Sequence, residues 1–313
     1  MPTAVELYSL IEAWLPILGL LGALGIAAAG LYVYLFRQNP EWSKFTLWLS
    51  SEGNRPLPYG LTAVRFAQEN AQLWRIGAWL SLLITAGAFY AWLLMLGLDP
   101  IRAVLGVWFL TWLPGLFGRF TTELGQTEPF GLALLTLSIA SFDFAPWLGL
   151  VFALLASAFL PVAGLLASLC TWSFWPLVGL VLPFYRWFKH RHIELDGNAP
   201  SEIIKSSKLV KKFGFGAHRA GGLRDFHLMV RPWGCLAILF LVAAGQSASV
   251  PLLGAAFGAL VVSYVMAYWS QRHTVNALIA AIPVIACAVS FESIEWILLA
   301  AFLQPFTASE GEV

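Results

Sequence analysis

Four stretches of this chain carry no charged residue: 13–36, 76–98, 144–185 and 232–271. A bilayer core is about 30 Å thick and takes about 20 apolar helical residues to cross. The first two stretches therefore fit one span each, and the last two are long enough for two. Shorter apolar stretches at 103–118, 129–142, 274–291 and 296–309 are weaker candidates. The runs are continuously apolar, whereas strands of a membrane barrel would alternate. Helices also satisfy their own backbone polar groups in lipid. The expected fold class is all-α, a polytopic transmembrane helical bundle of roughly eight to ten spans, with 1–313 as a single integral membrane domain.

Composition agrees with that reading. Hydrophobic residues make up 59% of the chain and charged residues 11%, against about a quarter charged in soluble domains, an excess that a soluble core cannot absorb. Glu6 and Glu12 precede the first stretch and no basic segment does, so it is expected to stay in the mature protein and not to be cleaved as a signal peptide. A net charge of +1 gives no nucleic-acid footprint. Cys170, Cys235 and Cys287 all lie in apolar segments with no Cys/His cluster, so buried thiols are expected and no metal site is assigned. The five histidines read as polar loop residues, and no internal repeat or mid-span charge suggests an ion-coupled transporter.

Two polar loops punctuate the spans. The first, 37–75, carries Trp42, Phe45, Trp48, Phe66 and Trp74, aromatics suited to the headgroup level. The spacing of Trp42, Phe45 and Leu49 predicts a short in-plane helix there. The second, 186–231, holds ten of the eighteen Lys and Arg residues against four acids, which makes it the cytoplasmic loop. Within it Lys205, Lys208, Lys211 and Lys212 form a basic face suited to anionic lipid or an acidic partner. Orientation depends on how often 144–185 crosses. Two crossings, with a break near Pro161, put the 37–75 loop outside, and one crossing puts it inside. A single helix of 42 residues would run about 63 Å, twice the membrane, which favours two.

Candidate chemistry then falls to acids at the outer surface: Glu41 and Glu52 in the first loop, and Glu123 and Glu128 in RFTTELGQTEPF. A carboxylate there can take the proton of an acceptor hydroxyl, while Arg55, Arg65 or Arg119 binds a lipid phosphate. The plainer reading is solvated loop charge.

The segment TELGQTEPFGLALLTLSIA, with Thr127, Glu128 and Pro129 entering a short Leu/Ala-rich helix, resembles the multi-spanning type C glycosyltransferases. YWSQRHTVNALIAAIPVIA, Tyr268 to Ala286, looks like the polar interruption and proline-bearing span toward the end of that family's membrane module. The similarity touches about half the chain. It implies transfer of a sugar from a polyprenyl-phosphate donor on the non-cytoplasmic side, with an acid of the first outer loop as base. That loop has no aspartate, the first in the chain being Asp99, so the resemblance leaves Glu41 or Glu52 for the role. The alternative is a non-enzymatic membrane subunit, a scaffold or channel component of a larger envelope complex. It is motivated by the absence of mid-span charge, the fifteen Trp residues and the basic loop. Expected partners are membrane lipids, a polyprenyl-phosphate sugar or other membrane subunits, and the expected location is a bacterial inner membrane.

Overall fold

The computed structural model describes residues 4–37, 41–42, 70–112, 123–124, 128–160, 162–190, 236–244, 249–270 and 273–290. Almost all of these are helical, so the all-α expectation holds for the described residues. In chain order they form α1 (Ala4–Arg37), α2 (Ala71–Met95), α3 (Pro100–Trp112), α4 (Glu128–Phe142), α5 (Pro146–Phe159) and α6 (Ala163–Thr171). A 3₁₀ segment (Trp175–Leu180) leads into α7 (Val181–His190), followed by α8 (236–244), α9 (Val250–Ser270) and α10 (His273–Val289). Two-residue strands β1 (Glu41–Trp42) and β2 (Glu123–Leu124) pair in parallel.

The first two apolar runs become the two longest helices. Glu12–Gly30 within α1 and Gln72–Met95 within α2 are long and apolar enough to cross a membrane. The other runs are divided more finely than the sequence suggests. With 13, 15 and 14 residues, α3, α4 and α5 each reach only about 20 to 23 Å. Among the described residues, the roughly eight to ten spans expected from sequence are thus represented by the long apolar helices α1 and α2, by α9 with 21 residues, and by several shorter helices. Stretch 144–185 breaks twice, once between Phe159 and Ala163, near Pro161 as expected, and again at Trp172–Phe174. At the second break Trp172 takes a left-handed conformation, φ 50° and ψ 35°, uncommon for a bulky residue. Its indole N–H donates to the Pro251 carbonyl at 2.8 Å, and its ring lies over Gly254. The α6 terminus is thereby tied to the start of α9.

Local chemistry explains the helix ends. Asp99 caps α3, its Oδ1 accepting the Ile101 and Arg102 N–H groups at 3.0 Å while its Oδ2 pairs with Arg102 Nε at 3.1 Å. After α2, Gly97 (φ 84°) closes the helix with the Leu98 N–H returned to the Leu93 carbonyl, a reversal glycine takes without a Cβ clash.

The core mixes many small residues with large ones such as Leu82, Phe89, Tyr90 and Leu93. Ala23, Ala27, Ala86, Ala103, Ala153, Ala156 and Ala256 are among those enclosed, and every residue of α10 from 279 to 289 is buried. A helix apolar on all sides belongs inside a bundle or in lipid. Buried hydroxyls bond to backbone carbonyls four residues back: Thr85 to Ser81 at 2.9 Å, Thr111 to Val107 at 2.9 Å, Thr136 to Leu132 at 3.1 Å and Thr171 to Ala167 at 2.8 Å. Tyr90, inserted against Gly19, donates its hydroxyl to the Pro16 carbonyl at 2.9 Å and joins α2 to α1. Other large apolar side chains face outward, including Leu18, Leu21, Ile101, Trp147, Leu241 and Phe257.

Candidate functional site

One end of the bundle holds Glu128, one of the acids singled out in the sequence. It is formed where α2 and α4 begin and α5 ends. Pro129 is the second residue of α4, where its missing N–H costs nothing because the first amides of a helix have no intrahelical acceptor. The aromatic residue after it anchors the turn. The Phe130 ring meets Trp74 edge-on at 4.8 Å and Phe159 at 6.1 Å. Gly77 leaves room for that ring, since a Cβ there would lie 3.2 Å from it, and Gly131 is covered by Phe159 and Leu160. Trp74, read from sequence as a headgroup aromatic, is therefore a packing residue, because α2 starts at Ala71 and turns it onto Phe130.

Glu128 sits in the first turn of α4 and is 4% exposed. Among the described residues it is the one buried charged side chain. The sequence reading placed it in a solvated outer loop; instead the helix begins at Glu128 itself and the aromatic cluster beside it draws that turn inward. A neighbouring group engages it.

The two strands bring a second loop to this end. Glu41 is the register partner of Glu123, and Trp42 of Leu124. Neighbouring strands lie about 4.8 Å apart, so residues from two distant loops become neighbours. β2 also packs against α2, and Glu128 follows Glu123 by five residues, a reach of at most about 18 Å. Trp42, expected on an in-plane helix, lies in β1 because its backbone pairs with Leu124. The rest of that expected helix lies outside the described residues.

Of the acids named in the sequence, the structure pairs Glu41 with Glu123 in the β1–β2 register and separately buries Glu128 at the start of α4. Glu52, Arg55, Arg65, Arg119 and the four lysines Lys205, Lys208, Lys211 and Lys212 lie outside the described residues. Cys287 is buried and Cys170 half-buried, as expected of packing thiols, while Cys235 lies outside the described residues. Asp143 is exposed in the turn between α4 and α5. Sequence reading missed the Glu41–Glu123 pairing. No local signal marks a two-residue bridge between segments so far apart.

Among the described residues the protein is almost entirely helical, with two helices long and apolar enough to cross a membrane and Glu128 buried at the end where α4 begins. Compared with protein-family models, curated proteins and solved structures, the chain matches none.

Proposed function

We propose that this chain is a multi-pass integral membrane protein that transfers a sugar from a polyprenyl-phosphate donor to an acceptor hydroxyl at the outer membrane surface. The observation that carries the catalytic part is the pairing of Glu41 with Glu123 as register partners, five residues before the buried Glu128 at the start of α4, which together make up the acid-rich end. The membrane part is supported by the many large apolar side chains that face outward from the helices and by the many alanines between them. The buried hydroxyls of Thr85, Thr111 and Thr136, satisfied within their own helices, support it too. Along its backbone α9 runs 21 residues without a charge, about 32 Å.

In this reading a carboxylate of the acid-rich end takes the acceptor's O–H proton. The acceptor oxygen bonds to the anomeric carbon as the bond from that carbon to the phosphate oxygen breaks. Polyprenyl phosphate leaves with the electron pair. Arg55 and Arg65, downstream of Glu41 in its loop, and Arg119, just before Glu123, are the residues suited to hold that phosphate. Glu52 stays a further candidate base of the first loop.

The test joins topology to activity. A cysteine introduced at Gly53 is expected to react with a membrane-impermeant maleimide added from the outer side. Purified Glu41→Gln and Glu123→Gln proteins are expected to transfer sugar from a polyprenyl-phosphate donor at least about ten-fold more slowly than the parent. Labelling of residue 53 only from the cytoplasmic side, or full activity in both variants, sinks the proposal.

A second reading, a non-enzymatic subunit of a membrane complex, has its own support in α1. Gly22 and Gly25 have open space where a Cβ would point, beside exposed Leu18 and Leu21. Small residues on an outward face suit another membrane helix. That reading expects assembly to survive replacement of Glu41, Glu52 and Glu128 by glutamine. It expects loss of assembly when Lys205, Lys208, Lys211 and Lys212 are neutralised, as read by co-purification in mild detergent.

A further inference from the structure

Hydroxyls on the helices of this protein are satisfied close by. Those of Thr85, Thr111, Thr136, Ser141, Ser157 and Thr171 each donate to the carbonyl four residues back. Ser263 on α9 is the exception. It is fully enclosed, and its Oγ is the one buried side-chain polar atom among the described residues that meets no hydrogen-bond partner in the protein. A hydroxyl taken out of bulk water without a partner destabilises the fold, so an orphan of this kind points to a small polar group bound beside it.

The seam around Ser263 is made of short side chains. Ala255, Ala256 and Ala259 precede it on the buried face of α9, and Ala280 and Ala281 stand on α10, all of them enclosed. α9 ends at Ser270, α10 begins at His273, and the two pack along one another as an antiparallel hairpin. Ser263 stands seven residues before the end of α9 and Ala280 seven residues after the start of α10, so they share a level. At that level α10 has a defect of its own. Pro283 lies inside the helix and has no N–H, so the carbonyl four residues earlier, that of Ile279, loses its usual donor. Every residue from 279 to 289 is buried, which keeps bulk water from that carbonyl.

We propose that the α9–α10 seam binds a single buried water between the Ser263 hydroxyl and the Ile279 carbonyl. The water accepts the Ser263 O–H and donates one of its own hydrogens to the Ile279 oxygen. Water is the fitting ligand because both protein groups are neutral, one a hydroxyl and the other an acceptor only. The alanines around them leave room for one small molecule and add no side-chain ligand for an ion. Prolines inside membrane helices are tolerated in this manner, with serine side chains and ordered waters satisfying the carbonyl they free. The water pins α10 at its proline, and α10 in turn meets α3, where the Val289 side chain lies over Gly106. The inference is independent of the sugar-transfer reading.

The test uses the full chain in detergent, first as a double-mutant cycle read by melting temperature. Ser263→Ala is expected to lower the midpoint by about 2–4 °C, because the Ile279 carbonyl loses its route to a donor. In Pro283→Ala protein the restored N–H serves that carbonyl directly. Adding Ser263→Ala there is expected to leave the midpoint unchanged or to raise it. The water itself is read by millisecond X-ray radiolysis, in which a bound water yields hydroxyl radical beside the residues that hold it. Oxidation at Ile279 is expected in the parent despite burial, and its loss is expected in Ser263→Ala. A Ser263→Ala protein that melts as high as the parent or higher overturns the proposal, since the hydroxyl would then be a plain orphan. An equal fall in both backgrounds overturns it as well, because Pro283 would have no part. Absence of oxidation at Ile279 in the parent excludes the water, and this arm decides the matter even where Pro283→Ala protein does not fold.

Discussion

Replacing Glu128 by glutamine is expected to slow sugar transfer by about 10²- to 10⁴-fold, the range lost when a positioned general base is removed. Glutamine keeps the shape of the side chain and a carbonyl oxygen that can accept, but cannot take a proton at neutral pH. The cost to the fold is small by comparison. A carboxylate at a helix N-terminus gains about 0.3–1 kcal/mol from the aligned peptide dipoles, reaching about 2 kcal/mol when partly buried. Desolvation of the buried charge opposes that gain, and Glu128 is 4% exposed. The melting temperature in detergent is therefore expected to move little while turnover collapses. Glu128→Ala would mix the two effects, because it also empties volume beside Phe130 and Gly131. The informative comparison is glutamine against parent, measured with the polyprenyl-phosphate donor at saturation. Unchanged turnover would make Glu128 a structural acid at the start of α4 and leave Glu41 or Glu52 to carry the chemistry.

The parts of the molecule that were legible in the sequence were those set by long local patterns. Charge-free runs 13–36 and 76–98 became α1 and α2, because a run that exceeds the membrane's thickness has few other structures open to it. The entry of α4 was legible for a local reason as well: an acid followed by proline suits a helix's first turn, and Glu128 and Pro129 sit there. What escaped was decided by contacts between distant segments. The burial of Glu128 comes from the Trp74–Phe130–Phe159 aromatic cluster, which draws on α2, α4 and α5 together. The Glu41–Glu123 register joins two loops separated by two helices. The division of 144–185 turns on the left-handed Trp172, held by a bond to Pro251 much later in the chain. Leucine-rich and alanine-rich text looks the same whether it crosses once or folds back on itself.

That fold-back depends on a junction with no spare room, and Gly179→Ala is expected to destabilise the protein by about 1–3 kcal/mol, the usual penalty for overpacking. At Gly179 a Cβ would stand 2.6 Å from Ser157 Oγ and 2.9 Å from the Ala153 carbonyl oxygen. At Gly164 it would stand 2.7 Å from the Pro176 carbonyl oxygen. These obstacles are mostly backbone, so they cannot rotate away as a flexible side chain would. The hydroxyl is committed too: Ser157 donates to the Ala153 carbonyl at 2.9 Å and accepts the Gly164 N–H at 3.1 Å. Alanine's better helix propensity offers at most about 1 kcal/mol in return, so the clash wins. The control is Gly25→Ala on α1, where a Cβ meets nothing within 4 Å and only the propensity gain remains. A melting experiment in detergent should therefore move the two variants in opposite directions, and a Gly179→Ala protein that melts no lower than the parent would refute the junction. Gly164→Ala combined with Gly179→Ala should cost less than the sum of the two, because one outward shift of the 3₁₀ segment relieves both clashes. The shift would also be felt at the acid-rich end. α5 carries Ser157 into the junction and, two residues later, Phe159 onto Phe130 and Gly131. Loosening one end of that short helix loosens the wall that buries Glu128, so transfer should fall in Gly179→Ala even at temperatures where the protein remains folded.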